Sequence, residues 1–172
     1  MFEDATRVPL IFAGPGILKN QPAVQDPVEL VDLYPTIMDM VQMQTPQFVQ
    51  GKSLAPYMKE SIEPIRTSAL TELQVHTTDA TAQGYSIKTK RYRLTKWQYK
   101  EDSFYELYDH KRDANELINL AGISKYKSLK DSLSLVLEKR VLAANIIPKD
   151  LGRQIEDAIP YFEPEKLLPK KK

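Results

Sequence analysis

The chain has 172 residues, 42% of them apolar and 27% charged, a composition that excludes a disordered polar chain and fits one domain with a real core. Lys and Arg number 24 against 23 Asp and Glu, so no general attraction to nucleic acid is expected. Cys is absent, which excludes disulfides, thiolate metal sites and a cysteine nucleophile among these residues, and no stretch is long and apolar enough to span a bilayer.

The first residues, Met1-Phe2-Glu3-Asp4, have neither the basic start nor the apolar stretch of a signal peptide. Val8 to Ala13 is a short apolar run stopped by Gly14-Pro15-Gly16, which predicts a buried strand with Pro9 at its start or at an unpaired position. Such a strand suits a sheet covered on both faces. Its pairing partner is missing upstream, and the next good strand lies beyond residue 66.

Asp26-Pro27-Val28-Glu29 reads as a helix start, with Asp26 as cap, Pro27 in the first turn and Glu29 closing a capping box. Leu30, Leu33, Tyr34, Ile37, Met38 and Val41 follow at helical spacing. Pro35 interrupts them, so a kink or restart is expected near Asp32 and a stop before Pro46. Ser53 is placed to cap a single turn running to Met58. Thr67 to Leu73 is a predicted strand, and Tyr85 to Lys88 with Arg91 to Trp97 reads as a hairpin turning at Thr89-Lys90. Phe104 to Tyr108 is a further strand. Ser124 is expected to cap a long helix to about Asn145, with Leu129, Leu133, Val136, Leu137 and Arg140 on its inner face. Residues after Gly152 carry Pro160, Pro164 and Pro169 and read as an extended tail, with Lys170 to Lys172 as a solvated end.

Candidate chemistry is sparse. His76, in Gln74-Val75-His76-Thr77-Thr78-Asp79 at a strand end, reads either as a substrate-contacting imidazole at a pocket rim or as a surface histidine. Asp109-His110-Lys111-Arg112-Asp113 gathers potential metal ligands, but its spacing matches no ion-binding loop, and alternating charges on a turn explain it as well. Arg91 and Arg93 offer guanidinium groups suited to sulfate or carboxylate; the solvated face of an antiparallel sheet accounts for the same residues. Tyr85, Tyr92, Trp97, Tyr105 and Tyr108 serve either as sugar-stacking rings or as core and cross-strand pairs. No phosphate loop, nucleophile elbow or metalloprotease helix is present.

Several segments together resemble the sulfatases. Phe2 to Phe12 with Pro15-Gly16 resembles the segment after the last active-site lysine of that family. Val28 to Thr36 resembles its Asp-Leu-x-Pro-Thr helix, and Gly51-Lys52-Ser53-Leu54 its Gly-x-Ser-Leu turn. Gly84 to Thr89 with Tyr92 to Trp97 is similar to the C-terminal hairpin of iduronate-2-sulfatase-like members. Glu106-Leu107-Tyr108-Asp109, then Asp113, Glu116 and Asn119-Leu120-Ala121, resembles the closing motif, with Ala114 where Pro is usual.

The resemblance implies the C-terminal portion of an alkaline-phosphatase-like α/β enzyme. Residues 1–60 would end the sulfatase core, 61–147 would form an α+β subdomain of antiparallel sheet and packed helix, and 148–172 would be the tail. The family's Cys/Ser-x-Pro-x-Arg nucleophile, converted to formylglycine, and its calcium ligands lie upstream of Phe2. The nearest lookalike, Ser61-Ile62-Glu63-Pro64-Ile65-Arg66, puts Ile62 at the nucleophile position and is rejected. The expectation is therefore no catalytic residue and no metal ligand in this chain, and no sulfatase turnover by it alone. Gln74 and His76 are the candidate substrate contacts. The expected partners are a missing N-terminal sulfatase core and a sulfated carbohydrate, with no nucleic acid or membrane. Met1 is read as an internal methionine. Relatives are typically exported or lysosomal. The alternatives are a sulfated-glycan-binding module using Arg91 and Arg93, or a separately encoded docking subunit.

Overall fold

The structure is a computed structural model that describes residues 2–20, 22–59 and 63–146. The expected tail from 148 onward, with Lys170 to Lys172, lies outside the described residues, as does part of the rejected 61–66 lookalike. Four strands, β1 (Ser68–His76), β2 (Thr81–Thr89), β3 (Tyr92–Tyr99) and β4 (Asp102–Asp109), form an antiparallel meander in chain order. Among the described residues three α-helices accompany them: α1 (Glu3–Thr6), α2 (Leu33–Met40) and α3 (Lys127–Ala144). No helix among the described residues is long and apolar enough to cross a membrane.

The register explains the core. Leu70, Ile87, Leu94 and Leu107 lie directly opposite one another and form one apolar row across all four strands. Because side chains alternate faces, the whole row points the same way. Leu133 and Leu137 of α3 pack on it, flanked by Leu129 and Val141. Ile87, Leu94 and Leu107 are fully buried, each contributing about 1.5–3 kcal/mol. Leu133 and Leu137 take the inward positions the helical spacing predicts, whereas Val136 is largely exposed and Val141 takes its place beside the core.

The opposite face carries Arg93, Ser86 and Thr95, all buried, with α1 tied to Arg93. Farther along that face, the Trp97 ring lies over Gly84; a Cβ there would come within 2.6 Å of it. Glycine is therefore required by close approach and not by an unusual backbone angle.

Three local expectations need correction. Val8 to Ala13 makes no strand ladder among the described residues, and Val8 and Ile11 are exposed. An extended apolar segment becomes a strand only beside a partner edge, which the described residues do not supply. Asp26 does not cap α2. Glu29 opens a single 3-10 turn, Leu30–Asp32, and shares a capping box with Asp32; α2 then starts at Leu33 with Pro35 in its first turn. The expected restart at Asp32 is thus present. Ser124 begins another 3-10 turn, Ser124–Tyr126, and makes no cap to α3.

Candidate functional site

Two buried ionic nodes organise the molecule. In the first, the carboxylate of Asp32 accepts from the amides of Glu29 at 2.9 Å and Lys52 at 2.7 Å, and from Nε of Arg66 at 2.8 Å. Burial pushes the Asp32 carboxyl up, but the Arg66 guanidinium and the two amides outweigh it and hold the group below the usual carboxylate range. Glu29 pairs with Arg66 at 3.0 Å, accepts from the Leu70 amide at 2.6 Å, and pairs with Arg140. One node therefore joins the turn before α2, the start of β1 and the end of α3. Thr36 extends it by accepting from the Leu54 amide at 2.8 Å. Asp32, Pro35 and Thr36 and the Gly51-to-Leu54 turn, separate in sequence, are one structural unit.

The second node surrounds Arg93. Its Nε donates to Glu116 at 2.7 Å, and one Nη donates to Glu3 at 2.5 Å and Thr6 at 2.7 Å. The Glu3 amide donates to the other oxygen of Glu116 at 2.6 Å, and Nε2 of His110 lies 2.7 Å from Glu116. Arg93 is 1% exposed, so the solvated-face reading fails for it, as does a glycan-binding role. Arg91, more exposed, forms a bidentate pair with Asp109. The sequence hides this node because Lys88, Arg93, Ser86 and Thr95 alternate with apolar residues and read as a wet face. No local pattern reveals it: the partners Glu3 and Glu116 lie 90 and 23 positions from Arg93.

Glu3, His110 and Glu116 place one ligand atom each within 4.8 Å of one another. They do not fit the calcium the family resemblance implies. Both carboxylates already neutralise a buried guanidinium, and a second cation there would meet Arg93 head-on.

His76 and Gln74 stand elsewhere. They lie two residues apart on one face of β1, both exposed, near its end. Nδ1 of His76 is 3.0 Å from the Thr81 hydroxyl across the hairpin mouth. Beyond them, Asp79 accepts from Lys100 at 2.6 Å, Tyr99 at 2.8 Å and Thr77 at 3.0 Å. Lys100 foremost, then Tyr99 and Thr77, lower the Asp79 carboxyl to about 2. This bond set pins the β1–β2 turn to the β3–β4 turn. A broad groove runs between the N-terminal segment and the β1–β2 edge, past Arg7, Lys88 and His110, and neither His76 nor Gln74 lines it. The structure does not bring the two groups of polar residues together.

The closing motif is likewise structural. Asn119 accepts from the Leu107 and Ala121 amides and donates to the Tyr105 carbonyl, acting as a substitute strand partner for β4. Among the described residues, this arrangement braces the fold.

The same fold occurs in known proteins. The family described as "N-sulphoglucosamine sulphohydrolase, C-terminal" matches residues 1–142, and the chain belongs to the sulfatases through this C-terminal region. A sulfatase of Formosa agariphila is 32% identical over 139 residues, 81% of this chain and 25% of that protein. A Delta 4,5-hexuronate-2-O-sulfatase of Bacteroides thetaiotaomicron is 33% identical over 131 residues, 74% of this chain and 27% of that protein. The solved structure of a 2-O GAG sulfatase superposes with a TM-score of 0.68 at 28% identity, covering 78% of this chain and 29% of the other. The chain thus spans about a quarter of the length of the relatives it matches.

Proposed function

We propose that these residues serve as the non-catalytic C-terminal part of a sulfatase acting on sulfated sugars, completing its main sheet and walling one side of its substrate cleft. The family match over residues 1–142 carries this reading. Two exposed apolar surfaces support it. Val8 and Ile11 belong to a segment that lacks a sheet partner among the described residues, and Leu30, Tyr34, Ile37 and Val41 form an uncovered helical stripe. A catalytic part paired with the first and packed on the second would bury both. The substrate class rests on the relatives named for hexuronate 2-O and GAG sulfate esters.

In the whole enzyme, the calcium and formylglycine implied by the resemblance belong to the catalytic part. Gln74 and His76 contribute substrate contacts at the rim, held in place by the Asp79 clamp on the adjoining turn. The test is release of sulfate from a 2-O-sulfated unsaturated disaccharide. The purified 172-residue chain is expected to release none, and turnover by it would contradict the reading. In a full-length enzyme carrying these residues, His76→Ala is expected to raise KM about tenfold with kcat nearly unchanged. An unchanged KM would remove His76 from the wall.

A further inference from the structure

The side of the sheet that carries α3 has a second feature, away from both ionic nodes. Row by row along that face, Glu72, Tyr85, Lys96 and Tyr105 lie opposite one another next to the apolar core row. Two ammonium groups converge on the Tyr105 ring. Nζ of Lys96 is 5.9 Å from its centroid and Nζ of Lys130, from α3, is 5.4 Å away. Neither lysine forms an ion pair among the described residues. Carboxylates neutralise the buried guanidinium groups of Arg66, Arg93 and Arg140, whereas Lys88 is half-buried and donates to the Thr89 carbonyl at 3.0 Å. The negative charge of the ring's π-system attracts each ammonium. It leaves their charge unneutralised.

The next row on the same face is polar: Gln74, Gln83, Gln98 and Ser103. Gln74 and His76 therefore sit on the same face as Tyr105, three strand spacings across, about 14 Å, and a further ~7 and ~13 Å along the strand direction. Such a surface suits a ligand with an anionic group flanked by hydroxyls.

We propose that Lys96 and Lys130, positioned by the Tyr105 ring, bind a sulfate group of a sulfated oligosaccharide, next to Gln98 and Ser103, whose side chains hydrogen-bond each other at 2.6 Å. The choice of a sulfated sugar rests on the function proposed above. The position differs from the glycan site at Arg91 and Arg93 that the sequence suggests, because those two cations are already paired.

Titration of the 172-residue chain with a heparin-derived hexasaccharide tests the site. Binding is expected to weaken with added salt. Lys96→Ala with Lys130→Ala should weaken it about tenfold, the sum of two partly exposed charge contacts. Lys96→Arg with Lys130→Arg should retain it, which separates loss of charge from loss of fold. Tyr105→Leu should weaken binding although net charge is unchanged, and Tyr105→Phe should not. Removing two charges elsewhere, by Lys125→Ala with Lys139→Ala, should have little effect. Equal weakening by the two alanine pairs, equal binding of a DNA oligonucleotide, or no binding at all would overturn the proposal. These outcomes leave the sulfate-release test untouched: turnover by the chain alone would contradict the sulfatase role, whereas loss of hexasaccharide binding would remove only this site.

Discussion

Asp32 is the residue on which the N-terminal part of the structure turns. Its carboxylate is fully buried, faces Arg66, and is held below its ordinary value. A carboxyl with a depressed folded pKa contributes stability that is complete above its unfolded value, near 3.9, and is lost as pH falls through the folded one. The chain should therefore lose stability below about pH 4, and Asp32→Asn should flatten that part of the profile. At pH 7 the same substitution should cost about 3 kcal/mol, because it leaves Arg66 buried with a weaker partner. Urea melts at several pH values measure both effects; a variant as stable as the parent at pH 7 would show that the pair contributes little. The sequence shows Asp32 as the point where the helix restarts, since Pro35 requires one. It does not show Arg66, which lies 34 positions away and carries no local signal. Arg93 is harder still. Its alternation with Tyr92 and Leu94 assigns it to the other face correctly, but only the positions of Glu3 and Glu116 reveal that this face is covered.

The hairpin of β2 and β3 is the element most fully legible beforehand, and the reason is local. Tyr92 and Leu94 alternate with Arg93 and Thr95, and a turn follows Thr89. The structure lengthens both arms and keeps the turn near its expected place. The extension, Thr81 to Gly84, has no apolar alternation and was not visible in the pattern. Gly84 explains why it exists: the Trp97 ring lies across it. Gly84→Ala would press a methyl group into that ring, and Trp97 must tilt away. Overpacking of this kind costs about 1–3 kcal/mol. Trp97 is the chain's only tryptophan, so its fluorescence emission should shift in the variant without interference. An unchanged spectrum with unchanged stability would mean the ring is free to move. Val8 to Ala13 shows the opposite relation between sequence and structure. Its apolar pattern reads plainly as strand, and it forms none among the described residues, because a strand is a property of two chains side by side.

At the scale of the molecule, the C-terminal half is self-consistent: apolar row, helix, turn chemistry and closing motif all support one sheet. The N-terminal half is joined to it through ionic nodes and leaves apolar surface at Ile11, Leu30 and Ile37 exposed. The family motifs in this region brace the fold. On the proposed function, Gln74 and His76 would contact substrate beside a catalytic core. The nucleotide sequence immediately upstream of the Met1 codon addresses this most directly. A reading frame continuous with Met1 that encodes a Cys/Ser-x-Pro-x-Arg motif is the result expected for a sulfatase subdomain. A stop codon directly before a functional ribosome-binding site would contradict it, and would make these residues an independent small protein.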